Sequence, residues 1–376
     1  MLHRFICTAV LLAVLGFCAF AAQEPTVSAR SAVLMAADTG EVLFAKNEHE
    51  RLAMASTTKI MTALLTIEQA TPDRLVTATP EAVRVEGTAM GLKAGDRVSF
   101  HDLAVGMLLP SGNDAANTAA LSIAGSLHGF ADLMNQKAQD LGMTNTHFVT
   151  PSGLDDEDHY STAYDMALLA SYAVRNPYFV QICSAQTASV HLTNEAFSRT
   201  YRNHNRLLRS LPGAFGVKTG FTKKSGRCLV SAVRRSGITL VCVTLCDPND
   251  WQDHEKLVDY GFSLVRRASF SPPAVSVRVF GAGVSRVAVH AAQELSVPTA
   301  SGTERYQLRV MLKPYCFAPV KQGQVLGTAA VYDRERCVAS TALVAETAVP
   351  SVTKEIRKDG LFQRMIRRIR KGHDPA

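Results

Sequence analysis

Apolar and polar positions along the chain separate it into regions of different character. Ser31 to Lys46 holds two apolar runs on either side of Asp38-Thr39-Gly40, a pattern that predicts a β-hairpin. Ala55 to Gln69 carries Ile60, Met61, Ala63, Leu64, Leu65 and Ile67 with few charges, so a helix there is apolar on most sides and central. His101 to Leu109 and Asp114 to Ala124 read as two more helices, interrupted by Pro110-Ser111-Gly112. Arg227 to Val233 and Ile238 to Leu245 are β-rich runs joined by Arg234-Arg235-Ser236-Gly237, a second hairpin. Trp251 to Val265 closes the region as an amphipathic helix. Strands at both ends with helices between predict an α+β domain, an antiparallel sheet flanked by helices, over residues 22–268.

The period changes after Ser271-Pro272-Pro273. Val275, Val277 and Val279 alternate with polar or small neighbours, and Tyr306, Leu308, Val310 and Leu312 alternate again. A small all-β domain is expected over 269–347. Beyond it, over 348–376, Leu361, Phe362, Met365, Ile366 and Ile369 share one helical face, with Arg364, Arg367, Arg368 and Lys371 opposite. A basic amphipathic segment of this kind suits an anionic membrane surface.

The N-terminus shows a different apolar run, Phe5 to Phe20, after Arg4 and before the small-residue pair Ala19 and Ala21. That is the form of a cleaved signal peptide over 1–21, and the chain is expected to be exported. With 47% hydrophobic and 19% charged residues, the remainder is ordinary globular protein. The net charge of +7 sits mostly in the tail, where eight Lys or Arg face only Glu355, Asp359 and Asp374. A nucleic-acid role therefore has no basis in the body of the chain. Cysteines show no Cys-x-x-Cys pair and there are no clustered histidines, so neither a metal nor a cofactor is expected. Cys228, Cys242 and Cys246 are expected as small buried hydrophobes. Cys316 and Cys337 are expected to form a disulfide in an oxidising compartment.

Three short segments carry the chemistry: Ser56-Thr57-Thr58-Lys59, Ser111-Gly112-Asn113 and Lys218-Thr219-Gly220, spaced 55 and 107 residues apart. Ser and Lys three apart at a helix start share one face. A serine hydroxyl needs an adjacent base. Lysine can serve if burial or a second cation, here Lys218, lowers its pKa. A helix start also leaves the Ser56 N–H free for an oxyanion. Ser111 and Asn113 are expected on a loop between helices. Lys218-Thr219-Gly220 is expected to end a loop and enter the strand region near Arg227. A lysine and a hydroxyl there suit a carboxylate, and Gly220 permits close backbone approach. Each segment alone would be an ordinary cap or turn; together, in order, they form the S-x-x-K, S-x-N and K-T-G signature.

With Ala55 to Ala63, Pro151-Ser152-Gly153-Leu154-Asp155 and Gly216 to Thr222, the chain resembles the low-molecular-mass penicillin-binding proteins that are serine-type D-alanyl-D-alanine carboxypeptidases. The resemblance implies that Ser56 attacks the D-Ala–D-Ala carbonyl of a peptidoglycan stem pentapeptide while Lys59 takes its proton. It implies that Ser111 relays a proton to the leaving amine, that Asn113 hydrogen-bonds substrate, and that Lys218 and Thr219 hold the terminal carboxylate. Backbone N–H groups of Ser56 and Phe221 would form the oxyanion hole, and β-lactams would acylate Ser56. Some relatives place an arginine upstream of the third motif; here the alignment points to His204 rather than Arg206.

Rival readings remain. A class A β-lactamase would need a Glu-x-x-Leu-Asn element between the second and third motifs, and none is present. A non-catalytic penicillin or peptidoglycan receptor lacks a transmembrane link to a partner. An endopeptidase acting on cross-links is poorly separated from a carboxypeptidase.

Overall fold

The fold comes from a computed structural model that describes residues 23–194 and 197–352. The described chain forms two compact units, one ending at Val265 and the other beginning at Arg266.

The first unit is built on a five-stranded antiparallel sheet. Its strands are β1 (Ser31–Ala36), β2 (Glu41–Lys46), β3 (Ala214–Thr222), β4 (Gly226–Arg235) and β5 (Ile238–Leu245), in the order β2-β1-β5-β4-β3. β1 and β5 are buried along their whole length. That explains why they read as continuous apolar runs rather than alternating ones: both faces are covered. Val33, Met35, Val230, Val241 and Val243 face one helical layer, which contains α1 (Lys59–Gln69), α2 (Phe100–Leu108), α3 (Asn113–Ala124), α4 (Leu127–Asp140) and α5 (Ala163–Ala173). The alternate positions Ala32, Leu34, Leu229, Val233, Leu240 and Cys242 face α6 (Asp250–Leu264) through Leu257 and Val258. The period of two thus divides one sheet between two apolar layers.

The expected α+β class is the observed one. α1 is buried at every position from Lys59 to Thr66, as its uniform hydrophobicity implies. The 3-10 turn Ala55–Thr58 precedes it, so the first motif straddles the turn and the helix. β3 lies on the sheet edge, the setting expected for Lys218 and Thr219, and it already begins at Ala214, so the motif sits within the strand rather than at the end of a loop. It pairs only with β4, with Phe221 opposite Arg227 and Thr219 opposite Leu229.

The second unit is all-β. Arg266–Phe270 pairs with Leu295–Thr299, which explains why the division falls at Val265. The remaining strands are β6 (Val275–Phe280), β7 (Arg286–Ala291), β8 (Tyr306–Leu312), β9 (Tyr315–Phe317), β10 (Val325–Asp333) and β11 (Arg336–Ala345), ordered β8-β10-β11-β7-β6-β9. Val277, Val279, Val287, Val289 and Leu343 form its core.

The expected Cys316–Cys337 disulfide is corrected by this sheet order, and both thiols are free. Cys316 lies on β9 and Cys337 on β11, with β6 and β7 between them. Three strand spacings of ~4.8 Å put them about 14 Å apart, far beyond the reach of an S–S bond. Cys228 and Cys242 are buried as expected, while Cys246 is half-buried. Burial pushes the Cys228 thiol up to about 12. The expected signal peptide, residues 1–21, and the tail positions Leu361, Phe362, Met365, Ile366 and Ile369 lie outside the described residues.

Candidate active site

Three elements that are distant in sequence meet at one cleft. Ser56 sits on the 3-10 turn, Ser111 on the loop between α2 and α3, and Thr219, Gly220 and Phe221 on edge strand β3. All five line a cleft of about 300 Å³, together with Thr88, His204, Arg227, Asp250 and Trp251. The two lysines stand behind its wall, both fully buried.

Lys59 is the centre of the arrangement. Its Nζ lies 3.0 Å from Ser56 Oγ, 2.6 Å from Asn113 Oδ1 and 2.7 Å from the Ser152 carbonyl oxygen. Burial, followed by the positive charge of Lys218, lowers its pKa well below the usual lysine range, against a smaller opposing pull from Asp114. A neutral amine has two N–H bonds and one lone pair. Asn113 and Ser152 offer acceptors for two N–H groups, and Ser56 Oγ stands at the third position, where a neutral amine would present its lone pair. The lowered pKa and this geometry are those a general base requires.

The loop carrying Ser152 is pinned against this turn. Gly153 adopts a left-handed φ of 83°, and a Cβ there would overlap the Ala55 carbonyl oxygen and lie 2.7 Å from Thr58 Oγ1. Glycine is required on both counts. Thr58 donates to the Ala55 carbonyl oxygen at 2.8 Å, and so must accept from His159 Nε2, 2.9 Å away. His159 Nδ1 accepts from the Val149 N–H at 2.9 Å. The imidazole is therefore the neutral Nε2–H tautomer, and burial lowers its pKa to about 4. Thr62 Oγ1 donates to the Pro151 carbonyl oxygen at 2.6 Å and completes the clamp.

A second loop, before α2, is held by Asp114. The carboxylate accepts from the backbone N–H groups of Met90, Gly91 and Leu92, each at 2.8 Å. This loop brings Thr88 to the cleft, where its hydroxyl donates to the Ser111 carbonyl oxygen at 2.6 Å. Ser111 itself takes a left-handed φ of 66°. Such a conformation is sparsely populated for serine and is sustained here by the contacts around it.

Lys218 Nζ donates to the Thr219 carbonyl oxygen at 2.8 Å, and burial lowers its pKa to about 7. Gly220 packs against the nucleophile turn, where a Cβ would lie 3.1 Å from Ser56 N and from Thr57 N. Phe221 is 66% exposed at the cleft mouth. His204 lines the cleft, with its pKa lowered by burial and then by Lys218. Arg206 instead lies over the Trp251 ring, 6.0 Å from its centroid.

Every residue that the three motifs supplied comes to this cleft or to its immediate wall. Asn113 also contacts the first motif: its buried amide bridges Lys59 to the Glu86 carbonyl oxygen, the latter at 2.6 Å. Thr88, Asp114 and His159 were not singled out as site residues, and Ser152 was noted only within the Pro151 to Asp155 segment, with no role attached. Asp114 carried a signal, an acid in the first turn of α3. Arg227, Asp250 and Trp251 carried none, because strand register brings Arg227 to the cleft and packing of the start of α6 brings Asp250 and Trp251. Arg227 donates to both Asp250 oxygens at 2.9 Å and lies 5.5 Å from the Trp251 ring centroid.

Known proteins share this architecture. The family model for D-alanyl-D-alanine carboxypeptidase (peptidase S11) matches residues 18–249, and that for the C-terminal domain of penicillin-binding protein 5 matches 270–351. The chain is 32% identical over 317 residues to D-alanyl-D-alanine carboxypeptidase DacF of Bacillus subtilis, covering 80% of each chain. It is 34% identical over 340 residues to DacC of Escherichia coli, covering 82% of each. Penicillin-binding protein 5 of Haemophilus influenzae superposes with a TM-score of 0.64 at 28% identity, over 88% of this chain and 99% of that one. A Streptomyces K15 DD-transpeptidase structure superposes with a TM-score of 0.61 at 33% identity, over 64% of this chain and all of the other. With the serine, its buried lysine base and the edge strand in this geometry, the chain belongs to the family of serine-type D-alanyl-D-alanine carboxypeptidases.

Proposed function

We propose that catalysis proceeds through an ester on Ser56. The supporting observation is the three-bond environment of Lys59, which sets Ser56 Oγ at the third position, where a neutral amine would present its lone pair. The stem pentapeptide lies along edge strand β3, with its terminal carboxylate at Lys218 and Thr219. Ser56 Oγ attacks the penultimate D-Ala carbonyl carbon as its proton passes to Lys59 Nζ. Backbone N–H groups of Ser56 and Phe221 receive the oxyanion. The C–N bond then breaks and D-alanine leaves as its amine takes the proton that Lys59 had accepted, relayed through Ser111, which returns Lys59 to the neutral form. Water attacks the resulting ester, giving up a proton to Lys59, and Ser56 recovers its hydroxyl proton as the shortened peptide departs. A β-lactam enters by the same route, and its ring opening leaves the acyl group on Ser56.

The test is D-alanine release from a synthetic peptide ending in Lys-D-Ala-D-Ala, with Ser56→Ala alongside. Release by the wild type alone is expected. Release by the variant, or penicillin labelling that survives in it, places the nucleophile elsewhere. Penicillin labelling of the wild type without D-alanine release favours an endopeptidase or receptor.

The leader and tail complete the reading: export with cleavage near Ala21, and attachment to an anionic membrane surface through the basic amphipathic tail. Among the described residues, no helix is long and apolar enough to cross a membrane. Removal of residues 353–376 is expected to release the protein from anionic vesicles while peptidase activity is kept. Equal vesicle binding by the shortened chain would rule the tail out as the anchor.

A further inference from the structure

Strands β6 and β9 run parallel at one edge of the second unit's six-stranded sheet, with Phe280 opposite Phe317 and Arg278 opposite Tyr315. Val279 and Cys316 point into the core, so Arg278, Phe280, Tyr315 and Phe317 share the outer face. The three aromatic side chains are 43%, 50% and 67% exposed, for Phe280, Tyr315 and Phe317 in turn. Their ring centroids lie 5.6 to 6.0 Å from one another, and the Arg278 guanidinium sits 5.6 Å from the Phe280 ring centroid. Exposed apolar residues scattered singly are ordinary on a protein surface. Three contiguous aromatics on a sheet edge are a defined patch.

The end of the described chain lies beside this patch. Ser351 forms a bridge with Ala282, and the Val352 N–H donates to the Gly281 carbonyl oxygen at 2.8 Å. Residues 353–376, with their apolar and basic positions, therefore start next to Phe280. The charge nearby has the same sign. Arg286 on β7 stands opposite Arg278, and strands β6, β7 and β9 contain no Asp or Glu.

We propose that Phe280, Tyr315 and Phe317 form a second membrane contact, dipping into the headgroup region of an anionic bilayer beside the tail. Phe and Tyr offer apolar rings with a polar hydroxyl at Tyr315, a composition suited to the lipid–water boundary. Arg278, whose guanidinium lies against the Phe280 ring, meets lipid phosphates, and Arg286, which donates to Ser276 Oγ and to the Ser276 carbonyl oxygen, adds to the positive charge of that face. The inference rests on the membrane reading of the tail in one respect only, that both segments face the same bilayer.

The test places a tryptophan at each edge of the sheet in the full chain. Phe317→Trp marks the patch on β9, and Met311→Trp marks the opposite edge strand β8, where Met311 is 55% exposed. Vesicles of phosphatidylcholine and phosphatidylglycerol carry bromine on part of the acyl chains, and the signal of native Trp251 is subtracted. Quenching of the residue-317 signal with the residue-311 signal unaffected is expected. The double change Phe280→Ser, Phe317→Ser is expected to weaken partitioning roughly tenfold, since it removes two interfacial rings but leaves the core side chains in place. If the protein pellets with vesicles and residue 317 is quenched no more than residue 311, the tail reading stands and the patch is overturned. If the full chain does not pellet, both are overturned.

Discussion

Asn113 Oδ1 lies 2.6 Å from Lys59 Nζ, so the second motif acts directly on the first. The contact orients the amine against Ser56 and uses one of its N–H bonds. Replacing Asn113 with Asp would set a carboxylate beside that nitrogen. An anion there favours the ammonium form and raises the Lys59 pKa. The acidic limb of the acylation pH profile is expected to move upward. Asn113→Ala removes the acceptor without adding charge, and is expected to slow acylation by on the order of 10²-fold. Penicillin acylation rates measured across pH decide both; an unmoved profile for Asn113→Asp would dismiss the coupling.

Lys218 gives a second pH dependence of opposite sign. Burial lowers its pKa to about 7, so it carries charge below that value and loses it above. A carboxylate-bearing substrate needs the charged form. KM for the peptide is expected to rise as pH increases through about 7, while penicillin labelling still reports an intact Ser56. Lys218→Arg, charged throughout the range, is expected to flatten that rise. A KM independent of pH in the wild type would contradict the assignment.

Two buried histidines make stability fall in acid. Burial lowers His159 to about 4 and His254 to about 3, against roughly 6.5 in the unfolded chain. The unfolded chain binds these protons first. The stabilising contribution is thus full above about 6.5 and declines as pH falls towards the two folded values. At roughly 1.4 kcal/mol per pH unit of separation, each site contributes a few kcal/mol. His254 bridges Ser231 Oγ at 2.7 Å and Thr244 Oγ1 at 3.1 Å, fastening α6 to the sheet. Denaturant midpoints between pH 7 and 4 are expected to drop in the wild type and less steeply in His254→Asn.

Gly153→Ala tests the clamp behind the base. The left-handed φ alone costs about 1 kcal/mol for alanine, and overlap with the Ala55 carbonyl adds to it. The methyl group presses on the turn that carries Ser56, so acylation is expected to fall by more than stability does. Stability loss with unchanged acylation kinetics would show that the turn absorbs the strain.

Asp114 joins fold and site. Asp114→Ala strips the acceptor from the N–H groups of Met90, Gly91 and Leu92. Charge-assisted bonds of this kind contribute about 1.5–3 kcal/mol each, so a loss of several kcal/mol is expected, with weaker penicillin labelling as Thr88 leaves its place. Thermal unfolding of the variant, with and without a bound β-lactam, measures both effects.

The reaction class and the class of fold are legible in the motifs and in the apolar pattern alone. Ser56, Lys59, Ser111, Lys218 and Thr219 are legible because nucleophile, base and carboxylate holder need particular side chains at particular spacings. The hairpin of β1 and β2, the hairpin of β4 and β5, and the buried α1 are legible because burial writes a period into the chain. Which partners those groups have depends on how distant segments pack. The contact of Asn113 with Lys59 and with the Glu86 carbonyl oxygen is not written in the S-x-N spacing. Ser152 reaches Lys59 through a carbonyl, and a backbone carbonyl has no residue code to read. Arg227 enters the cleft through pairing of β4 with β3, and Asp250 and Trp251 enter it at the start of α6, where Asp250 accepts from Arg227. Cys316 and Cys337 failed as a pair because strand order, which no local pattern encodes, set two strands between them. Local periodicity records which side of an element is buried; contacts between distant segments are fixed only when the chain packs.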